Sequence, residues 1–202
     1  MPDKYPNFAA LAAAEPATAY SILVRSMGSP VVVAAPHGGA IEPGPSEIAL
    51  AIAAADLSCY LFEGRKSDGN HDLHLTSARF DEPQGLALLS AGRMVVTVHG
   101  EDSDGECVYL GGRHTAAVAS VRAVLEPRGY RVQVHANPQL QGLQSRNICN
   151  LGLKGAGVQM ELSLGLRETF FQSLTRSGRK QPTPRLAQFG ALVRQGVLQM
   201  RL

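Results

Sequence analysis

The chain has 202 residues, 45% of them hydrophobic and 18% charged, with a net charge of +2. A chain of this length buries enough surface for one compact domain without disulfide staples, and its three cysteines, Cys59, Cys107 and Cys149, form no CxxC pair. The weak charge and the lack of tryptophan argue against a nucleic-acid platform, and no run reaches the roughly 20 apolar residues that cross a bilayer.

Residues 1–27 form an N-terminal segment with a short apolar run set among prolines and acids, and no basic stretch precedes a longer hydrophobic one. No signal peptide is expected, and the expected compartment is the cytoplasm. VVVAAP (31–36) is the first run of strand length. PSEIALAIAAAD (45–56) has Pro45 near a helix start and Ile48, Ala49, Ile52 and Ala53 on one face. LSCYLFEG (57–64), MVVTVHG (94–100) and CVYLGG (107–112) read as further strands. RHTAAVASVRAVLEPRG (113–129) gathers Val118, Val121, Val124 and Leu125 at helical spacing and stops at Pro127-Arg128-Gly129. YRVQVH (130–135) and GVQMELS (157–163) complete the set.

Near-continuous apolar strands alternating with helices predict an α/β fold, a mostly parallel or mixed central sheet flanked by helices. The polar, proline-containing TRSGRKQPTPRL (175–186) reads as a loop. Residues 184–202 then place Leu186, Phe189, Leu192, Val193 and Val197 on one face of a final helix, packed on a single domain spanning 1–202.

In an open parallel sheet, ligands gather in the crevice beyond the carboxyl ends of the strands. His37 follows VVVAAP, His99 follows MVVTV, and Glu161 lies near the end of GVQMELS. Glu42 sits five residues after His37, across Gly38 and Gly39. A carboxylate on a strand covered on both faces must be paired or must open onto a site. Two neutral imidazoles and one carboxylate are a standard ligand set for catalytic zinc, and a second carboxylate off the metal can take a proton from water. His37, Glu42 and His99 fit the first role and Glu161 the second. Spacing leaves Glu42 and Glu161 interchangeable; Glu42 is preferred as ligand because its closeness to His37 fixes their relative geometry. NHDLH (70–74) offers a competing pair, His71 and His74 around Asp72, but it follows a polar loop and reads as a loop anchor or a substrate contact. His114 and His135 read as structural.

PHGGAIEPGPSEIALAIA, CYLFEG, NHDLHLTSARFDEP, VVTVHG, VYLGGR, NICNLGLKGAGVQMELS and GLR occur in that order. From about residue 28 to residue 170 the chain resembles the phage-type poly-γ-glutamate hydrolases, a zinc peptidase family with a carboxypeptidase-like sheet. The resemblance implies one zinc ion per chain held by His37, Glu42 and His99, with Glu161 as general base. It departs from the usual carboxypeptidase spacing, HxxE becoming HxxxxE, which leaves Glu47 as a less favoured substitute ligand. It also points to Arg79, in TSARFDEP, as the arginine that holds a substrate carboxylate or the developing oxyanion, with Asp81 beside it to orient it. Arg113 and Arg146 are further candidates for contacts to an anionic chain, since the planar guanidinium fork suits carboxylates.

The activity implied is hydrolysis of γ-glutamyl amides in poly-γ-glutamate by a monomer that binds neither nucleic acid nor membrane. Two alternatives are a zinc amidase or deacylase of small N-acyl amino acids, and a non-catalytic module that binds anionic polymers. Phosphate cradling is poorly supported, because PHGGAIEPG has no Gly-Lys-Ser/Thr ending and no GxGxxG opens a helix after the first strand.

Overall fold

The computed structural model describes residues 3–199. Seven strands, β1 (Tyr20–Arg25), β2 (Val31–Gly39), β3 (Ser58–Gly64), β4 (Met94–Glu101), β5 (Val108–Gly111), β6 (Val132–Gln133) and β7 (Val158–Ser163), form one sheet in the order β1-β3-β2-β4-β7-β5-β6. The four central strands β3, β2, β4 and β7 are mutually parallel. β1 runs antiparallel to β3, and β5 antiparallel to β7, with β6 parallel to β5. Among the described residues the sheet is mixed and flanked by six α-helices: α1 (Phe8–Ala14), α2 (Pro45–Ala53), α3 (Pro83–Ala91), α4 (Thr115–Leu125), α5 (Leu164–Glu168) and α6 (Pro184–Leu198).

Side-chain alternation divides the core into two layers. On one face Val31, Val33 and Ala35 of β2, Cys59 and Leu61 of β3, Met94, Val96 and Val98 of β4, and Val158, Met160 and Leu162 of β7 meet α2, α4 and α6. On the other, Val32, Ala34, Tyr60, Phe62 and Val95 meet Leu11 of α1, Leu88 and Leu89 of α3, and Ile148. Helix α6 buries Leu186, Phe189, Leu192, Val193 and Val197, and its Gly190 lies so close to α2 that a Cβ there would sit 2.8 Å from the Ala51 backbone.

Three elements escaped the periodicity. β1 is an edge strand with Val24 exposed, so its hydrophobic pattern is blurred. α1 and α3 announce themselves by caps: Asn7 Oδ1 accepts from Ala10 N, and Glu82 accepts from Gln84 N and Gly85 N ahead of Pro83. YRVQVH supplies only the two strand residues of β6. The expected final helix ends at Leu198, and residues 200–202, like residues 1–2 of the N-terminal segment, lie outside the described residues. Among the described residues no helix is long and apolar enough to cross a membrane, and all three cysteines are free and buried.

Two departures from regularity prepare the site. β2 pairs with β4 only as far as Ala34–Thr97, so beyond that point the two strands splay. The chain runs from β2 to β3 on one side and returns to β4 on the other, so this gap is the topological switch point of the sheet. β2 also carries one extra residue against β3: Ala35 pairs with Leu61 but Gly38 with Glu63. Regular alternation would send His37 to the helical layer with Val33 and Ala35; the bulge gives that position to Gly38 and turns the imidazole to the opposite face. Gly38 is required there, because a Cβ would lie 2.0 Å from Ser46 Oγ on α2. His37 therefore belongs to β2 itself, as His99 does to β4, rather than to loops past the strand ends.

Candidate active site

His37, His99 and Glu161 are nearly inaccessible, at 2%, 3% and 3% exposure. His99 and Glu161 are neighbours in the β4–β7 register, and Glu161 shares its strand face with Gln159. Glu42 comes from the turn after β2, closed by Glu42 N donating to His37 O at 2.9 Å. One Glu42 oxygen lies 3.0 Å from His37 Nδ1, and the other accepts from Gly100 N at 2.8 Å and lies 3.9 Å from His99 Nδ1. The Gly100 N–H is a backbone donor that β2 would have paired had the two strands stayed together; the Glu42 carboxylate satisfies it instead.

The two imidazoles present Nδ1 to Nδ1 at 3.1 Å. His37 Nε2 is 2.8 Å from the Leu75 carbonyl, which only accepts, so Nε2 carries the hydrogen and Nδ1 turns its lone pair to the site. Tetrahedral zinc with Zn–N bonds of about 2.0–2.1 Å needs nitrogens roughly 3.3 Å apart, close to this separation. The donor atoms of His37, Glu42 and His99 all lie within 4.8 Å of one another, and a backbone carbonyl already orients one ring, as at metal sites generally. These residues fit a divalent cation of the zinc type.

The charges of the cluster also act on one another. Burial opposes the charge on Glu42, but the His37 imidazole beside it holds the carboxyl down to about 2. Burial likewise opposes protonation of His37, and Glu42 outweighs it, so His37 titrates above its ordinary value. Burial and the neighbouring His37 push His99 down to about 3. Glu161 is pushed well above the usual carboxylate range by burial and then by the charge of Glu42. Its Oε1 accepts from Gln159 Nε2 at 2.8 Å; Gln159 Oε1 in turn accepts from Asn147 Nδ2 at 2.8 Å. Gln159 and Asn147 were missed in the sequence, although the alternation that marks Glu161 also marks Gln159.

The site floors an open cleft of about 850 Å³. Its lining includes His74, residues 76–79, 137–140 and 142–144, and Glu101 and Asp102. Arg79 and Arg146 line it and Arg113 does not: Arg113 is exposed on the turn before α4, where its N–H donates to Asn150 Oδ1. Arg79 is paired with Asp3 at 2.9 Å, and its side chain is 55% exposed. Asp81 does not orient it, since its carboxylate accepts from Phe8 N at 2.6 Å. Asp3 also accepts from Thr76 N and His74 Nδ1, each at 2.8 Å. His74 therefore keeps Nδ1 protonated towards Asp3, stacks on His37 with ring centroids 4.0 Å apart, and sets Nε2 4.0 Å from Glu42. His71 stacks on the outer side of His74. Glu47 lies away from the cluster, accepting from Arg179 Nε at 2.8 Å. His114 caps α4, and His135 accepts from Asn137 N.

The poly-gamma-glutamate hydrolase family model matches residues 5–192. The chain belongs to the poly-gamma-glutamate hydrolase family. It is 36% identical over 178 residues to the SPbeta prophage-derived UPF0714 protein YoqZ of Bacillus subtilis (strain 168), a match covering 88% of this chain and 65% of that protein. It is also 36% identical over 170 residues to the UPF0714 protein YndL of the same strain, covering 84% and 67%. The chain thus spans about two thirds of the length of these curated relatives. Two solved structures share the fold: a bacteriophage poly-gamma-glutamate hydrolase, 30% identical with a TM-score of 0.93 over 98% of each chain, and a zinc-free apo form of YndL, 33% identical with a TM-score of 0.93 over all of each. The α/β fold described above matches that of the bacteriophage poly-gamma-glutamate hydrolase.

Proposed function

We propose that this member of the family is a zinc-dependent hydrolase that cuts γ-glutamyl amide bonds in poly-γ-glutamate, with one zinc ion per chain. The observation that carries the reading is the meeting of His37 Nδ1, His99 Nδ1 and the Glu42 carboxylate beside Glu161 on the floor of one cleft. His37, Glu42 and His99 would hold the ion, and zinc so bound supplies a Lewis acid that brings water to a pKa of about 7 and polarises an amide carbonyl. Glu161, its Oε1 fixed by Gln159, accepts the water's proton on its other oxygen and delivers it to the leaving nitrogen. Its raised proton affinity suits a group that must hold that proton between the two transfers. Arg79 spends one arm of its fork on Asp3, which fixes the plane of the guanidinium, and offers the rest to a substrate carboxylate or the developing oxyanion. Arg146, exposed and lining the same cleft, has no ion-pair partner among the described residues and suits a second carboxylate along the same polymer. An open cleft of this volume lined by two arginines favours a polymer over a small acyl amino acid.

Incubation with poly-γ-glutamate, with and without a chelator, and sizing of the products tests the reading. Shortening that the chelator stops and added zinc restores is expected. Intact polymer under both conditions refutes it.

A further inference from the structure

Arg167 is the largest of the fully buried side chains, at 1% exposure, and it has no part in the chemistry above. It stands on α5, directly after β7, where Ser163 Oγ caps the helix by accepting from Leu166 N. From there its guanidinium reaches back under the ends of the central strands. Nε donates to the Leu162 carbonyl at 3.0 Å, Nη1 to the Pro43 carbonyl at 2.5 Å, and Nη2 to the Glu101 carbonyl at 2.9 Å. Two of these carbonyls belong to residues next to Glu42 and Glu161, and the third lies two residues past His99. Gly100 passes directly over the guanidinium: a Cβ there would sit 2.7 Å from its central carbon. Because successive strand residues face opposite ways, the guanidinium lies on the face of β4 away from His99.

A backbone ladder cannot do this work. β2 and β4 part after Ala34–Thr97, before His37 and Glu42 are reached, so sheet pairing leaves the distance from the Glu42 turn to β4 open. Besides the Glu42–Gly100 bond, the cross-tie is the rigid fork of Arg167, which spans Pro43 and Glu101 with two nitrogens 2.3 Å apart in any guanidinium (roughly, from planar C–N geometry).

We propose that Arg167 is the positioning residue of the metal centre: its guanidinium gauges the separation of the turn bearing Glu42 from the strands bearing His99 and Glu161, and so sets zinc affinity. The inference rests on His37, Glu42 and His99 being the zinc ligands. A lysine keeps the charge but is a point donor that cannot hold three carbonyls in one plane. Loss of an outer partner of this kind typically costs 10–100-fold in metal affinity.

The test is a zinc dissociation constant from competition with a chromophoric chelator, read beside the melting temperature of the apo protein. The variants are Arg167→Lys, Gly100→Ala and, as a control for destabilisation alone, Val197→Ala in the core of α6. Arg167→Lys is expected to weaken zinc 10–100-fold, Gly100→Ala to do the same by displacing the guanidinium, and Val197→Ala to lower the melting temperature with an unchanged constant. If Arg167→Lys does not fold, Gly100→Ala decides. Wild-type zinc affinity in Arg167→Lys or, failing that, in Gly100→Ala overturns the inference, as does an equal weakening in Val197→Ala. If the wild-type protein itself takes no zinc, the ligand assignment has failed instead, and the inference falls with it.

Discussion

His37, His99 and Glu161 hang from paired strands at 2–3% exposure, whereas Arg79 and Arg146 stand on loops, Arg79 with 55% of its side chain exposed. The floor of the cleft has its donors fixed before any ligand arrives: strand register places His99 beside Glu161, a bulge aims His37, and backbone groups hold Glu42 and His37. The arginines above it are held less: Arg79 by one ion pair to the buried Asp3, Arg146 by none among the described residues. A charge that must act at short range in a dry site is built into the sheet; one that gathers a polyanion is left on a loop. Buried groups of the first kind are costly to disturb, and contacts made by exposed arginines contribute about 0–1 kcal/mol each.

That contrast can be broken at several points. His99→Ala is expected to have the largest effect, removing zinc measured by elemental analysis together with all hydrolysis; zinc retained at one per chain would take His99 off the ligand list. Glu161→Gln should keep zinc and lose about 10²–10⁴-fold in kcat, the usual worth of a general base, and retention of activity would move the base elsewhere. Arg146→Ala should raise KM for the polymer by only a few-fold with kcat nearly unchanged, whereas Arg79→Ala should raise KM alone if it holds a substrate carboxylate and lower kcat as well if it holds the oxyanion. Arg113→Ala should do nothing measurable to either, and an effect as large as that of Arg146→Ala would mean that the substrate path extends beyond the cleft.

The smallest expected effect is one of pH, at Asp3. Burial raises the Asp3 carboxyl, but hydrogen bonds from Thr76 and His74 outweigh it and leave the group below its ordinary 3.8. The folded state then favours the charged form. Its contribution is complete above 3.8 and is lost as pH falls through the lower folded value. The melting temperature of Asp3→Asn should lie below that of the wild type at pH 6, and the gap should close towards pH 3. A gap constant with pH would mean that the Asp3 carboxylate is not what ties Thr76, His74 and Arg79 together.

Much of this was legible in the residues. Central strands buried on both faces read as unbroken apolar runs, and Gln159, Glu161 and Ser163 alternating with Val158, Met160 and Leu162 showed a polar face with nowhere to go but a site. His37, Glu42 and His99 could be set at one edge of the sheet from order alone. What spacing could not carry was the direction of His37, since simple alternation puts it on the wrong face; the extra residue marked by Pro36-His37-Gly38-Gly39 corrects that. Contacts between distant segments were also silent: Asp3 lies 76 residues from Arg79, and Arg167 lies 124 from Pro43. Asp81, adjacent to Arg79 in sequence, was the natural partner to expect, but it serves the start of α1 instead.

The irregular count on β2 has a practical side for anyone altering this chain. Straightening β2 at its present length, so that each residue from Ala35 to Gly38 took the next place in the ladder, would change no side chain of the metal centre, yet it would invert the parity of everything downstream to the turn. The imidazole at 37 would then swing into the greasy layer beneath α2, and Gly38, which leaves room for the hydroxyl of Ser46, would turn away from it. Deleting Pro36, by contrast, would set the histidine next to Ala35 and keep its face by simple alternation, so the bulge matters for aim only as long as the extra residue is there.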